Sequence, residues 1–482
     1  MAIIKKFTSL CLAALVFAGA SASALAAEEP VEIKKAPLAA GFLHSAIVQE
    51  DGTLLAAGSN SYGQLGAILP DAEELDRSSD KSSTADEAEN SSAAEQSADP
   101  EEEKVSLTGG STEFVPVMEN VQAVYAGYLN TFAITTNGVL YGWGWNEGSQ
   151  LGLGDKENRA TPAEILAEIV FAAPGRFHTA AVSEDGTLWL WGWNSRGQLG
   201  TGSTDDLTSP KEMLDNVRSA AVGMEHTMAV KQDNTLWAAG SNVYGQLADG
   251  GREDMLTFQQ VMEDVQDVAC TAFGTVILKT DGTVWVCGYN ANGELGNGGM
   301  QNISEPLQIM SDVDKIACGE DFAAAIKRDG TLYAWGSNSF GQYGAESSQK
   351  PIQVAESVTD VALGGGHMLY LTEDGAIYAL GNNEQGQLGN GTLTAHTEPA
   401  PVAESAAASP GEESQAPMIA LIVLLIIVVL AVFGVLIART VKGKPNNKAK
   451  KKPEPQKKKT PPSKKPEVDV EALEDEVTKA DE

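Results

Sequence analysis

A short signal recurs seven times along the chain. Asp-Gly or a close variant begins at Asp51, Asn137, Asp185, Asp233, Asp281, Asp329 and Asp374. From Asn137 to Asp329 every step is 48 residues, and the last is 45. The first step is 86, one period of 48 plus 38 extra residues. A unit of this size cannot bury its apolar face alone, so near-fixed repetition confines the chain to stacked-repeat architectures.

The phase inside the unit is strict. Seven residues after each turn residue stands Gly58, Gly144, Gly192, Gly240, Gly288, Gly336 or Gly381. Nine after it stands Asn60, Asn146, Asn194, Asn242, Asn290, Asn338 or Asn383. A Gly-Gln-Leu-Gly unit or a close variant follows, as at Gly197 to Gly200. The stretch HTAAVSEDGTLWLWG, from His178, reads as a β-hairpin, with φ > 0 expected at both central turn residues. In its second strand Trp189 and Trp191 point to one side and Leu188 and Leu190 to the other. Both faces are apolar, as a small sheet between two similar sheets requires, and radially stacked blades satisfy that.

The full phrase G..HT.AV..DGTLW.WG.N..GQLG.G resembles the repeat of the regulator of chromosome condensation family. The resemblance implies an all-β fold, a seven-bladed β-propeller closed into a ring, and covers the chain from about Ala39 to Val402. EPAPVAES (Glu398 to Ser405) looks like the strand preceding later repeats, and APLAAGFLHS (Ala36 to Ser45) like the remainder. The two termini are therefore expected to complete one shared blade, removing an edge. An animal exchange factor of the family contacts a small GTPase through an inserted wedge. Nothing here resembles that wedge, which argues against an exchange role.

Several segments fall outside the repeat. Lys5 and Lys6, an apolar run and a small-residue cut site define residues 1–26 as a secretory signal peptide. The propeller is placed at 36–405, with an acidic, aromatic-free, disordered insertion at 67–113. A stalk (406–417) leads to an uncharged stretch, Met418 to Ala438, long enough to cross a bilayer as one C-terminal transmembrane helix. The Lys/Pro-rich tail (439–482) should stay cytoplasmic by the positive-inside rule. The expectation is a single-pass cell-membrane protein with an extracellular ring, and the Ala-rich leader leans bacterial. A formal charge of -33 argues against nucleic acid as a partner.

The sequence predicts no catalysis, no cofactor and no metal site. No HExxH, GxSxG, Walker loop or CxxC occurs. His44, His178, His226 and His367 each precede their turn residue by seven, which spreads them around a ring as structural residues bonded to backbone. His396 stands alone in the last connection and reads as solvated. Cys270 and Cys318 share one repeat phase and read, with Cys287, as small buried residues. Asn90, Asn302 and Asn390 begin glycosylation sequons.

Residues constant in every copy are explained by the blade itself: Asp51, Asp185, Asp233, Asp281, Asp329 and Asp374, with the seven asparagines above. Function is expected where copies differ. Eight residues after the turn residue most copies have a small polar side chain, but three have Trp145, Trp193 and Tyr289. Three positions further stand Tyr62, Arg196, Tyr244 and Phe340. These seven form the candidate site, because aromatics beside polar groups suit contact with an extracellular protein or a cell-wall glycan. A non-catalytic surface scaffold is the first reading. An inhibitor of a secreted or envelope enzyme, resembling β-lactamase inhibitor protein II, is the alternative.

Overall fold

The computed structural model describes residues 35–67, 109–344 and 347–402. The segments expected to be signal peptide, stalk, membrane span and tail lie outside them, as does the expected insertion apart from Ala67 and its last residues. Among the described residues no helix is long and apolar enough to cross a membrane. The insertion ends earlier than expected. Ser111 already pairs with Gly58, so Ser111 to Glu113 belong to a strand.

Each repeat is one antiparallel four-stranded sheet, and seven such sheets form a ring. Blade 1 is β1 (Leu38–Ala40), β2 (His44–Val48), β3 (Leu54–Gly58) and β4 (Ser111–Met118). Blade 3 is β9 (Ile169–Pro174), β10 (His178–Ser183), β11 (Leu188–Gly192) and β12 (Leu207–Leu214). Blade 7 is β25 (Val358–Leu363), β26 (His367–Thr372), β27 (Ile377–Gly381) and β28 (His396–Pro401). Blades 2, 4, 5 and 6 begin at Val121, Val217, Val265 and Val313. The first strand of each blade packs against its counterparts on both sides and lines the central channel.

The hairpin turn departs from the expected type. Gly186 N–H donates to Ser183 O at 2.9 Å, and Ser183 N–H to Thr187 O at 3.0 Å. Only Gly186, at φ 82°, is left-handed. This is a three-residue loop with a left-handed third residue, so Asp185 keeps an ordinary φ. Asp185 instead accepts from Thr187 N–H at 3.0 Å and from the Ser183 hydroxyl at 2.7 Å. Those bonds hold its carboxyl below the ordinary range. The six turn aspartates all accept from the amide two residues on.

Crossings between blades carry a signal the sequence pattern did not reveal. Asn120, Glu168, Asn216, Asp264, Asp312 and Ser357 all have φ between 57° and 62°. Asn tolerates this region, whereas an ordinary side chain pays about 1–2 kcal/mol there. Glu168→Asn should therefore raise stability by about 1 kcal/mol, read as a higher urea midpoint at unchanged slope. A lower midpoint would show that Glu168 has a role beyond the turn.

The core lies between blades. Seven apolar clusters each draw on two neighbours, as Val182, Leu188 and Leu190 do with Val217, Ala220 and Ala229. Trp143, Trp191 and Trp335 are fully buried. Their indole N–H groups donate to the carbonyls of Gln64, Gln150 and Glu294 in the preceding blade, at 2.8–3.0 Å. Trp189 is only half-buried, with Nε1 near Ser183 Oγ at 3.3 Å.

Through Nε2 the four histidines bond hydroxyl side chains of the next blade. His44 Nε2 lies 2.8 Å from Thr131 Oγ1, His178 from Thr227 at 2.8 Å, and His226 from Thr275 at 3.1 Å. Each threonine hydroxyl donates in turn to Gln64, Gln198 or Gln246 O. Its single proton is thus committed, which makes the histidine Nε2–H the donor. His396 does not lie in a connection but opens β28 opposite Gly381, where it is half-buried.

The termini do not share a blade. β1 pairs with β2 inside blade 1, and β28 pairs with β27 inside blade 7. Because the chain enters at a first strand and leaves after a fourth, every repeat is a whole blade. The interface between blades 7 and 1 reproduces the others. His367 Nε2 meets Ser45 Oγ at 2.8 Å, and Ser45 donates to Gln387 O at 2.6 Å. Leu38, Ile47 and Leu55 pack with Ala362, Leu369 and Leu388.

Candidate functional site

Two kinds of loop meet on one face of the ring: the turn from first to second strand, and the loop from third to fourth. Gly192 fixes their contact. A Cβ there would meet Phe177 O at 2.5 Å and His178 Cα at 2.7 Å. The glycine lets Trp193 N–H donate to Phe177 O at 3.0 Å, as Trp145 does to Leu129 O and Tyr289 to Phe273 O. The asparagines hold the second loop. Asn194 Oδ1 accepts from Leu199 N–H at 2.9 Å, and all seven make this bond.

On this scaffold the variable side chains interlock from blade to blade. Tyr62 meets Trp145 edge-on with centroids 6.3 Å apart, Trp145 meets Phe177 at 5.8 Å, and Phe177 meets Trp193 at 5.0 Å. Tyr244 meets Tyr289 at 5.0 Å and Phe273 at 5.6 Å. Arg196 stands apart from both groups, 3.7 Å from Glu225 and 3.8 Å from Asp254. Phe340, 44% exposed, lies over Gly366. The structure therefore joins Tyr62, Trp145 and Trp193 in one group and Tyr244 and Tyr289 in another. Arg196 and Phe340 join neither.

The sequence reading missed the other half of this face. Phe177 and Phe273 sit one residue before the histidine position, and Phe42, Tyr128, Arg176, Met224, Ala272 and Glu320 two before it. Both positions differ among the copies, so the same comparison could have found them. Phe42 and Tyr128 stack at 4.3 Å, and the Arg176 guanidinium lies 4.0 Å above the Tyr128 ring. Arg176 also approaches Glu320 Oε1 at 3.7 Å. Turns from all seven blades surround a cavity of about 150 Å³ at the channel mouth. Burial there raises the Glu320 carboxyl, with Arg176 opposing, and burial likewise raises Asp321.

The remaining polar groups serve the scaffold. The four repeat histidines are sealed from solvent, and burial lowers their pKa to about 3 or 4. Cys270 and Cys318 are half-buried, packed against the inter-blade core where it meets the channel mouth, with thiols pushed up by burial. Cys287 is core, its thiol pushed up to about 12 and facing Gln246 O at 3.8 Å. Asn302 Oδ1 accepts from Asn290 N–H and Asn390 Oδ1 from Thr392 N–H, so both sequon side chains are engaged. Asn90 lies outside the described residues. Among those residues no group of three or more His, Cys, Asp or Glu side chains could hold a metal ion.

Comparison with known proteins agrees with this architecture. The regulator of chromosome condensation (RCC1) repeat matches residues 38–64, 121–150, 170–198, 217–246, 265–294, 313–342 and 358–387. A second RCC1 repeat description matches five segments between 137 and 409. The ultraviolet-B receptor UVR8 of Arabidopsis thaliana is 30% identical over 139 residues, 29% of this chain and 23% of that protein. The match thus spans about a quarter of that relative's length.

Human WBSCR16 superposes with a TM-score of 0.58 at 22% identity, covering 71% of this chain and 88% of that one. Yeast RCC1 (Prp20), solved with Kap60, gives 0.60 at 17% identity, covering 79% and 87%. At such identities these two likenesses speak for the fold alone. With matches in all seven blades, the chain belongs to the RCC1-repeat family and folds as its seven-bladed β-propeller.

Proposed function

We propose that the chain is a non-catalytic binding scaffold that engages an extracellular protein or a cell-wall glycan through the face described above. RCC1-repeat propellers are typically binding or regulatory proteins, which supports the coarse reading. The carrying observation is the run Tyr62, Trp145, Phe177 and Trp193: half-buried aromatics crossing three blades. Most equivalent positions in other blades have small or polar residues, so the blade does not require these rings. Large amphipathic rings add contact area at little entropic cost, which is why they anchor interfaces. In this proposal the leader and the apolar stretch at 418–438 display the ring at a cell surface.

Capture from the cell envelope by the full-length, affinity-tagged chain tests the reading. Changing Trp145, Trp193 and Tyr289 together to Ser should weaken capture at least tenfold while leaving the thermal transition within a few degrees. Undiminished capture by the triple variant would show that binding does not use this face.

A further inference from the structure

Arg176 reaches across the channel mouth from one side to the other. It belongs to blade 3 and Glu320 to blade 6, nearly opposite in a ring of seven, and their side chains meet at 3.7 Å. An ion pair this long and one-third exposed is weak. Arg176 Nε is buried without a partner, so the guanidinium is incompletely used.

The turn carrying Arg176 is also the least fastened of the seven. Backbone bonds link neighbouring turns from Gly365 to Gly41, Phe42 to Tyr128, Met224 to Ala272, Ala272 to Glu320 and Glu320 to Gly364. None links the Arg176 turn to blade 2 or blade 4 by backbone, and its carbonyl accepts only the Gln150 amide at 3.5 Å.

We propose that Arg176 fills, from within, a subsite for a basic side chain of a protein partner, and that the partner's cation takes its place between the Tyr128 ring and Glu320. The components suit that ligand. Tyr128, stacked on Phe42, offers an aromatic face to a cation. Glu320 lines the cavity and is a carboxylate that burial disfavours as an anion and that a cation would relieve. The cavity of about 150 Å³ admits a side-chain tip, whereas sites for drug-sized ligands start near 300 Å³. That difference favours a protuberant side chain over a sugar chain. The weak ion pair and loosely tied turn make displacement easy.

This inference rests on the proposed use of the face, and its test is separate. Calorimetric titration of the full-length protein uses the capped pentapeptide Gly-Leu-Arg-Leu-Gly and its citrulline counterpart. Arg176→Gln should bind the arginine peptide about tenfold more tightly than the natural chain. The gain should vanish in Arg176→Gln/Glu320→Gln and with citrulline, while Arg176→Lys should behave like the natural chain. Arg176→Ala supplies a second opening variant should the first fail to fold. The proposal is overturned if neither opening variant gains affinity, or if the gain survives loss of either charge. A gain for an N-acetylglucosamine tetramer in place of the peptide would overturn it equally. Envelope capture on the natural Arg176 background judges the face itself, so the two failures are distinguishable.

Discussion

Acidification from pH 7 to pH 5 should destabilise the propeller by several kcal/mol, through four histidines that cannot accept a proton while folded. His44, His178, His226 and His367 are fully buried, and burial lowers them from 6.5 to about 4, 3, 4 and 3. In the unfolded chain each protonates near pH 6.5, so below that value the unfolded state binds more protons. The stabilising difference is complete above pH 6.5 and is lost progressively toward the folded values. At pH 5 the linkage costs about 2 kcal/mol per histidine, roughly 8 for four, against a typical stability of about 5–15.

Other groups modify but do not reverse this. The carboxyls of Glu294, Glu320, Asp321 and Asp360 are raised by burial, so their protonation favours the fold as pH falls. The turn aspartates are lowered, and their contribution is lost only in more acid solution. Blade 2 has Asn130 at the histidine position. His178→Asn should accordingly fold and reduce the pH slope of stability by about a quarter. Chemical denaturation at half-unit steps would reveal it, and a flat profile between pH 7 and 5 would contradict the buried-histidine account.

Opening the ring should have an effect of comparable size. Deleting Ala36 to Ser45 removes β1, with Leu38, Ala39 and Ala40 all buried, and the serine that joins blade 7 to blade 1. The apolar faces of both blades then meet water. The loss should exceed about 5 kcal/mol, comparable to the whole margin of an ordinary domain, and should abolish a cooperative transition. Ser45→Ala isolates the polar part. It leaves the His367 Nε2–H and the Gln387 carbonyl buried and unpaired, at about 1–3 kcal/mol each. A deletion variant melting like the intact chain would show that closure contributes little.

The repeat made blade composition legible because seven copies of one pattern average out local noise. Gly192 and Asn194 recur since every blade needs the same close approach and the same loop bond. The phase of the pattern misled where it was cut. Measured from the turn aspartate, each unit begins in mid-blade, which makes the ends look like halves of one blade. Measured from the first strand, units and blades coincide. The face was half legible for a related reason. Trp145 and Trp193 stand out beside the strand glycine, whereas Arg176 and Phe177 occupy the two unspecified positions before the histidine. Their docking joins one blade's loop to the next blade's turn, as Trp145 to Phe177 and Tyr244 to Phe273, and no single copy encodes that.

The central claim is that this face, and not the opposite one, is where a partner binds. Hydroxyl-radical footprinting of the full-length chain, free and with its captured envelope partner, tests it directly. Trp237 and Trp285 report on the opposite face, where their indoles bond the turn residues Thr235 and Thr283. The account predicts protection of Trp145, Trp193, Tyr244 and Tyr289, with oxidation of Trp237 and Trp285 unchanged. Protection of Trp237 and Trp285 with the first four still reactive would contradict it.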